Sequence, residues 1–165
     1  MLSFPIVKKS AVREKILSQL RADLLLQTTA AHTARDEAIS EESRPENQYD
    51  THSQEAAYLA EGQARLAAEI AESITLYESL NLPDLPAASP VALGALVALD
   101  DRGRQSWFFI GPRGGGLELQ VEGRNVLVLT PQSPLGRELM GKRVDDLVRL
   151  PNRVNGAPQR ITLVV

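Results

Sequence analysis

From Ser10 to Ser40 the chain runs without glycine or proline, and its apolar or small positions step alternately by three and four residues. The series Leu17, Leu20, Leu24, Gln27, Ala31, Ala34 and Ala38 is a heptad seam with one polar interruption, the pattern of a helix that lays one stripe against a partner helix. A second series, Ala56, Ala60, Gln63, Ala67, Ile70, Ile74 and Tyr77, repeats it, again with one glutamine, and Asn81 followed by Pro83 supplies the stop. Residues that face each other across an antiparallel hairpin share a midpoint. Pairing Leu17 with Tyr77, Leu20 with Ile74, Leu24 with Ile70, Gln27 with Ala67, Ala31 with Gln63, Ala34 with Ala60 and Ala38 with Ala56 puts every midpoint on residue 47. Pro45 disfavours helix at Arg44 and is itself a poor interior helix residue, so the reversal belongs between Arg44-Pro45-Glu46 and Gln48-Tyr49-Asp50. Two helices of about 30 residues make a rod on the order of 45 Å at 1.5 Å per residue. Its seam is bulky near the base and almost all alanine towards the turn, so the far end is expected to be the thinner one.

The pattern changes after Pro83, Pro86 and Pro90. Apolar runs at 91–99, 106–110, 117–121, 125–129, 144–150 and 161–165 alternate with turn signals at Asp100-Asp101-Arg102-Gly103 and Glu122-Gly123, which predicts a sheet of roughly five or six strands. A short helix fits 133–140, with Ser133 as N-cap, Pro134 at the first helical position and Gly141 as the end signal. The expected architecture is α+β: a helical hairpin over residues 1–82, then a small sheet domain with one short helix over 83–165. Neither glycine cluster makes a phosphate loop. Gly114-Gly115-Gly116 lies between strands without a following Lys-Ser/Thr, and Gly141-Lys142-Arg143 lacks the upstream glycine. The second half contains no histidine, so a Ser/His/Asp set is excluded there.

Composition narrows the chemistry. Of 165 residues, 43% are hydrophobic and 24% charged, enough apolar content for a packed core. Cysteine is absent, which removes disulfides, iron–sulfur clusters and Cys-based zinc sites, and His32 and His52 stand apart in no metal-binding pattern. The apolar run at the start is broken by Pro5 and is too short for a signal peptide or a membrane span, so a cytoplasmic location without membrane attachment is expected.

Charge then distinguishes the halves. Residues 83–165 carry ten Lys/Arg and eight Asp/Glu, whereas residues 1–82 carry eight and thirteen. Positions 36–50 hold Asp36, Glu37, Glu41, Glu42, Glu46 and Asp50 against Arg44 alone. This block repels a phosphate backbone, so independent DNA or RNA binding is not expected. An acidic run is ordinarily a solvated helix face, and Asp50 suits the third helical position after an Asn47 cap. A spacer, however, needs no acids gathered at its turn. Leu59, Leu66 and Leu80 form a partial second stripe that leaves self-association open, although a monomer is expected.

The segment Thr130-Pro131-Gln132-Ser133-Pro134-Leu135-Gly136-Arg137-Glu138-Leu139-Met140-Gly141-Lys142-Arg143 closely resembles the C-terminal signature of the bacterial Gre transcript-cleavage factors, GreA and GreB. In that family a Ser-Pro-Leu-Gly stretch opens a short helix ending in Gly-Lys before the next strand. The order of elements matches as well, which implies an antiparallel coiled coil followed by an FKBP-like domain in a divergent member. Glu46-Asn47 looks like the Glu-Asn of the family's tip, and Glu55, Glu61 and Gly62 fall in register with its second helix. The family's other tip acid, an Asp three residues earlier, falls on Ser43, with Glu41 and Glu42 as the nearest alternative carboxylates.

The resemblance implies a protein that docks its globular domain at the rim of the RNA polymerase secondary channel and inserts its coiled coil towards the active centre. Glu46, Glu42 and Glu41 are then the candidate catalytic carboxylates. Glu46 and Glu42 are the candidate ligands for a Mg²⁺ shared with polymerase and not held by the isolated protein. Ser133 and Pro134 mark the candidate docking surface. Such a protein is not itself an enzyme but stimulates cleavage of backtracked RNA by polymerase and rescues arrested elongation complexes. Two alternatives stand beside this. One is a secondary-channel regulator or Gre competitor without cleavage activity, as DksA-like and Rnk-like proteins are; the other is a coiled-coil adaptor that does not bind polymerase.

Overall fold

Two long helices open the chain, α1 over Lys9–Glu42 and α2 over Thr51–Glu78. The computed structural model describes residues 6–42 and 51–165, and the side chains of residues 40–42 and 51–53 lie outside that description. The heptad seam is the buried stripe. Leu17, Ala34, Ala38 and Ile74 are buried, while Leu20, Leu24, Gln27 and Ala31 on α1, and Ala56, Ala60, Gln63, Ala67 and Ile70 on α2, are half-buried. The positions between them are mostly exposed. Residues between 28 and 35 of α1 and between 60 and 67 of α2 line one groove, in keeping with the hairpin expected from the seams. The two seam glutamines are a local exception to the apolar rule: the Oε1 atoms of Gln27 and Gln63 are buried without a hydrogen-bond partner.

Six strands follow: β1 Leu96–Asp101, β2 Arg104–Ile110, β3 Glu118–Val121, β4 Arg124–Leu129, β5 Leu147–Val148 and β6 Gln159–Val164. A short helix, α3 Pro134–Leu139, stands between β4 and β5. The sheet order is β3-β4-β2-β1-β6-β5, antiparallel except for the parallel pair β2–β4. This is the α+β layout expected from the sequence. Both two-residue hairpins form where turn residues stand. Arg102 and Gly103 (φ 53° and 87°) close β1–β2, and Glu122 and Gly123 (φ 50° and 78°) close β3–β4. Positive φ at both central positions gives the turn whose twist suits an antiparallel pair.

Two strands are shorter than the apolar runs predict. The run 91–99 begins as a turn, because Gly94 adopts φ 84° and donates its N–H to the Ile110 carbonyl, so β1 starts only at Leu96. The run 144–150 is mostly loop. Asp145 sits at φ 73°, and the Asp146 carboxylate accepts from the Arg143 N–H at 2.7 Å, a side-chain turn that competes with strand pairing.

The chain divides into two compact units. One is Leu17–Thr75; the other joins the residues up to Ile16 with Leu76–Val165. The first turns of α1 and the last residues of α2, expected in the hairpin over residues 1–82, are grouped with the sheet. In that unit Val7, Val12, Ile16 and Tyr77 are fully buried. The Tyr77 hydroxyl donates to the Arg113 carbonyl, and Gly111 lies so close beneath the phenol that a Cβ there would collide with it. Burial pushes the Tyr77 phenol up to about 12. Val97, Leu99, Phe108, Ile110, Ile161 and Val164 join Leu139 of α3 in one apolar cluster. No helix among the described residues is long and apolar enough to cross a membrane.

Candidate functional site

The end of the hairpin is bounded by Glu42, the last residue of α1, and Thr51, the first of α2. Ser43, Glu46, Asn47 and Asp50, and with them the expected capping role of Asp50, lie outside the described residues. Glu41 and Glu42 stand in the final turn of α1, which contains no basic residue. A helix C-terminus carries the negative end of the dipole, so a carboxylate there costs about 0.3–1 kcal/mol instead of stabilising. Exposed Asp36 and Glu37 add to the same end of α1. Helix stability therefore gives no reason for acids at this position. Among the described residues no group of three or more His, Asp or Glu side chains is arranged to hold a metal ion.

The Ser133–Gly136 segment is a self-contained cap. The Ser133 Oγ accepts from the Gly136 N–H at 3.1 Å and donates to the Thr130 carbonyl at 2.7 Å, while Pro134 fills the first turn of α3, where its missing N–H is not needed. A Cβ on Gly136 would drive into the Thr130 carbonyl, which is why the motif ends in glycine. The Ser133 hydroxyl is thus committed inward, and Pro134 is the exposed member of the pair.

Pro134 borders a cleft of about 490 Å³. Arg137 and Glu138 of α3 line one wall with it, and Leu147, Arg149, Leu150 and Pro151 line the other. Leu147 is 55% exposed, so the lining of the cleft combines an apolar surface with two guanidinium groups and one carboxylate. A cationic, part-apolar cleft fits an acidic protein surface with a hydrophobic anchor. Ser133 is not among the residues that line the cleft, and of those that do, sequence reasoning names Pro134 but not Arg137, Leu147 or Arg149. Their signal is the outward alternation of 147 and 149 against inward Val148, and it is hidden in a run that reads as one continuous strand.

No family model matches the chain, and no curated protein matches it. Solved structures that it resembles include Gfh1 proteins. The crystal structure of GreA factor homolog 1 (Gfh1) of Thermus thermophilus has 20% sequence identity and a TM-score of 0.36, the match covering 90% of this chain and 94% of that one. Gfh1 of Thermus aquaticus has the same identity and TM-score with 96% of each chain covered, and a structure described as the transcription factor Gfh1 matches over 93% of each. These figures describe a divergent likeness.

Proposed function

We propose that this protein is a secondary-channel factor of RNA polymerase that brings an acidic hairpin end to the polymerase active centre and stimulates cleavage of backtracked RNA. The observation that supports this reading is the antiparallel pairing of α1 with α2. In this reading the reversal falls between Glu42 and Thr51, the interval of sequence that contains Glu46 and directly follows Glu41 and Glu42. The Ser-Pro-Leu-Gly signature supports it from the other half of the chain, and the cleft beside Pro134 is the docking surface in this reading.

Carboxylate oxygens are the hard ligands that Mg²⁺ takes, and an ion held by one or two of them keeps several waters and further ligands from its partner. Glu46, with Glu42 or Glu41 replacing the acid absent at Ser43, would therefore complete a site that polymerase already supplies in part. When bound there, Mg²⁺ supplies activation of the attacking water and stabilisation of the leaving oxygen. The protein's share is to place the carboxylates and to accept the hydrogen bonds that orient that water. Ser43 favours a second reading: a regulator that occupies the channel and competes with cleavage factors without cleaving.

Purified protein added to stalled elongation complexes with Mg²⁺ separates the readings. Release of short 3′ RNA fragments that disappears in Glu46→Ala, with polymerase affinity unchanged within ~3-fold, is the expected result, since a tip carboxylate contributes to the transition state and not to docking. Binding without fragments selects the competitor, and no binding to polymerase ends both readings.

A further inference from the structure

A second cleft, of about 570 Å³, lies in the sheet-bearing unit where α1 begins. Lys8, Lys9 and Arg13 line it, and Asp84 is the only acidic side chain among its lining residues. Lys9 is 91% buried by residue surface, its relative exposure being 9%. A partly desolvated ammonium gains from an anion beside it. Here Nζ donates to the Pro83 carbonyl, and no carboxylate approaches within ion-pair distance among the described residues; Asp84 acts on it only at longer range. Desolvation accordingly lowers the Lys9 ammonium below its ordinary value. Nζ has three donors, of which one is used. Arg13 likewise spends one guanidinium donor on the Leu80 carbonyl, at 3.1 Å, and so also meets a neutral acceptor. The first turn of α1 contains no acidic residue. The apolar side chains of Ile6, Val7, Leu82 and Val165 also line the cleft.

We propose that this cleft binds a phosphate-bearing organic molecule. Three cations on divergent stems match the several charges of a tetrahedral phosphate better than a single planar carboxylate, and the apolar side chains take the organic part. The volume falls in the range of small-molecule sites, roughly 300–1,000 Å³. The Glu122 carboxylate accepts from the Lys8 backbone N–H at 3.1 Å, a second negative charge beside the cations. Binding in this cleft requires neither the hairpin end nor polymerase, so its outcome is independent of any polymerase assay.

The test is calorimetric titration of the full chain at low salt with pyrophosphate, and with citrate as the carboxylate arm. Saturable pyrophosphate binding is expected, weakened by ~3- to 10-fold in Lys8→Gln and in Arg13→Gln, because each removes one charge from a partly desolvated cluster. Asp84→Asn is expected to tighten it by ~2- to 5-fold, an outcome that misfolding cannot imitate. No saturable binding, or an Asp84→Asn protein that binds no more tightly than its parent, overturns the proposal. Equal affinity for citrate overturns the assignment to phosphate.

Discussion

Tyr77 is at once a seam residue by its spacing and a core residue of the sheet-bearing unit by its contacts. Its phenol is raised by burial to about 12, against an unfolded value near 10. The folded state therefore holds the proton more tightly, so the associated stability is fully present below about pH 10 and is lost as pH rises towards 12. A rise of that size corresponds to at most about 2–3 kcal/mol. Denaturant unfolding between pH 8 and 12 should show this decline, and Tyr77→Phe should remove this part of the slope while costing about 1 kcal/mol at pH 8 for the lost hydrogen bond to Arg113. Equal slopes in the two proteins would refute the assignment. Gly136 makes the same kind of point sterically. Gly136→Ala has no space beside the Thr130 carbonyl and should cost about 1–3 kcal/mol and loosen the start of α3, whereas Ser133→Ala should cost about 1 kcal/mol for the cap. Thermal unfolding ranks the two.

Among the elements, the hairpin was the most legible part because its information is periodic: each seam position needs only its own helix to be recognised, and the shared midpoint does the rest. The β1–β2 and β3–β4 turns were legible for a similar reason, as Asp-Arg-Gly-Arg and Glu-Gly act within four residues. What stayed hidden depends on distant partners. Tyr77 reaches a carbonyl 36 residues away, and the cleft at Pro134 needs Leu147 and Arg149 from another element. At Ser133 and Pro134 what was legible was the start of α3, because the cap is local. The seam glutamines carry a prediction of their own. Their buried, unpartnered Oε1 atoms each cost desolvation free energy, so Gln27→Leu with Gln63→Leu should raise the stability of the chain by about 1–3 kcal/mol in thermal unfolding. A lowered midpoint would mean that the amides sustain the pairing. Bulk at the alanine end should act in the other direction. Ala34 is only 4% exposed, and Ala34→Leu there should overpack the seam by about 1–3 kcal/mol and widen the element that the proposed function needs thin. Full activity and unchanged stability in that variant would remove the requirement for narrowness.

At the scale of the whole molecule, the proposed tip and dock fall in different parts of the chain. Glu46 lies in the interval between Glu42 and Thr51, while Arg137 and Arg149 line a cleft of the sheet-bearing unit. Sites that share no partners contribute additively in free energy. Reversing both cleft charges, Arg137→Glu with Arg149→Glu, should weaken polymerase binding by ~10- to 100-fold through lost complementarity, with cleavage at saturating protein unaltered. Glu46→Ala should do the reverse, lowering cleavage at saturation and leaving affinity within ~3-fold. The triple variant should then show the product of the two effects and no more. Affinity and saturating rate, measured separately on stalled complexes for all three proteins, decide the matter. Should the charge reversals lower the saturating rate as well, the cleft would be orienting the hairpin end and not merely holding the protein to its partner, and docking and catalysis could no longer be treated as separate tasks of separate units.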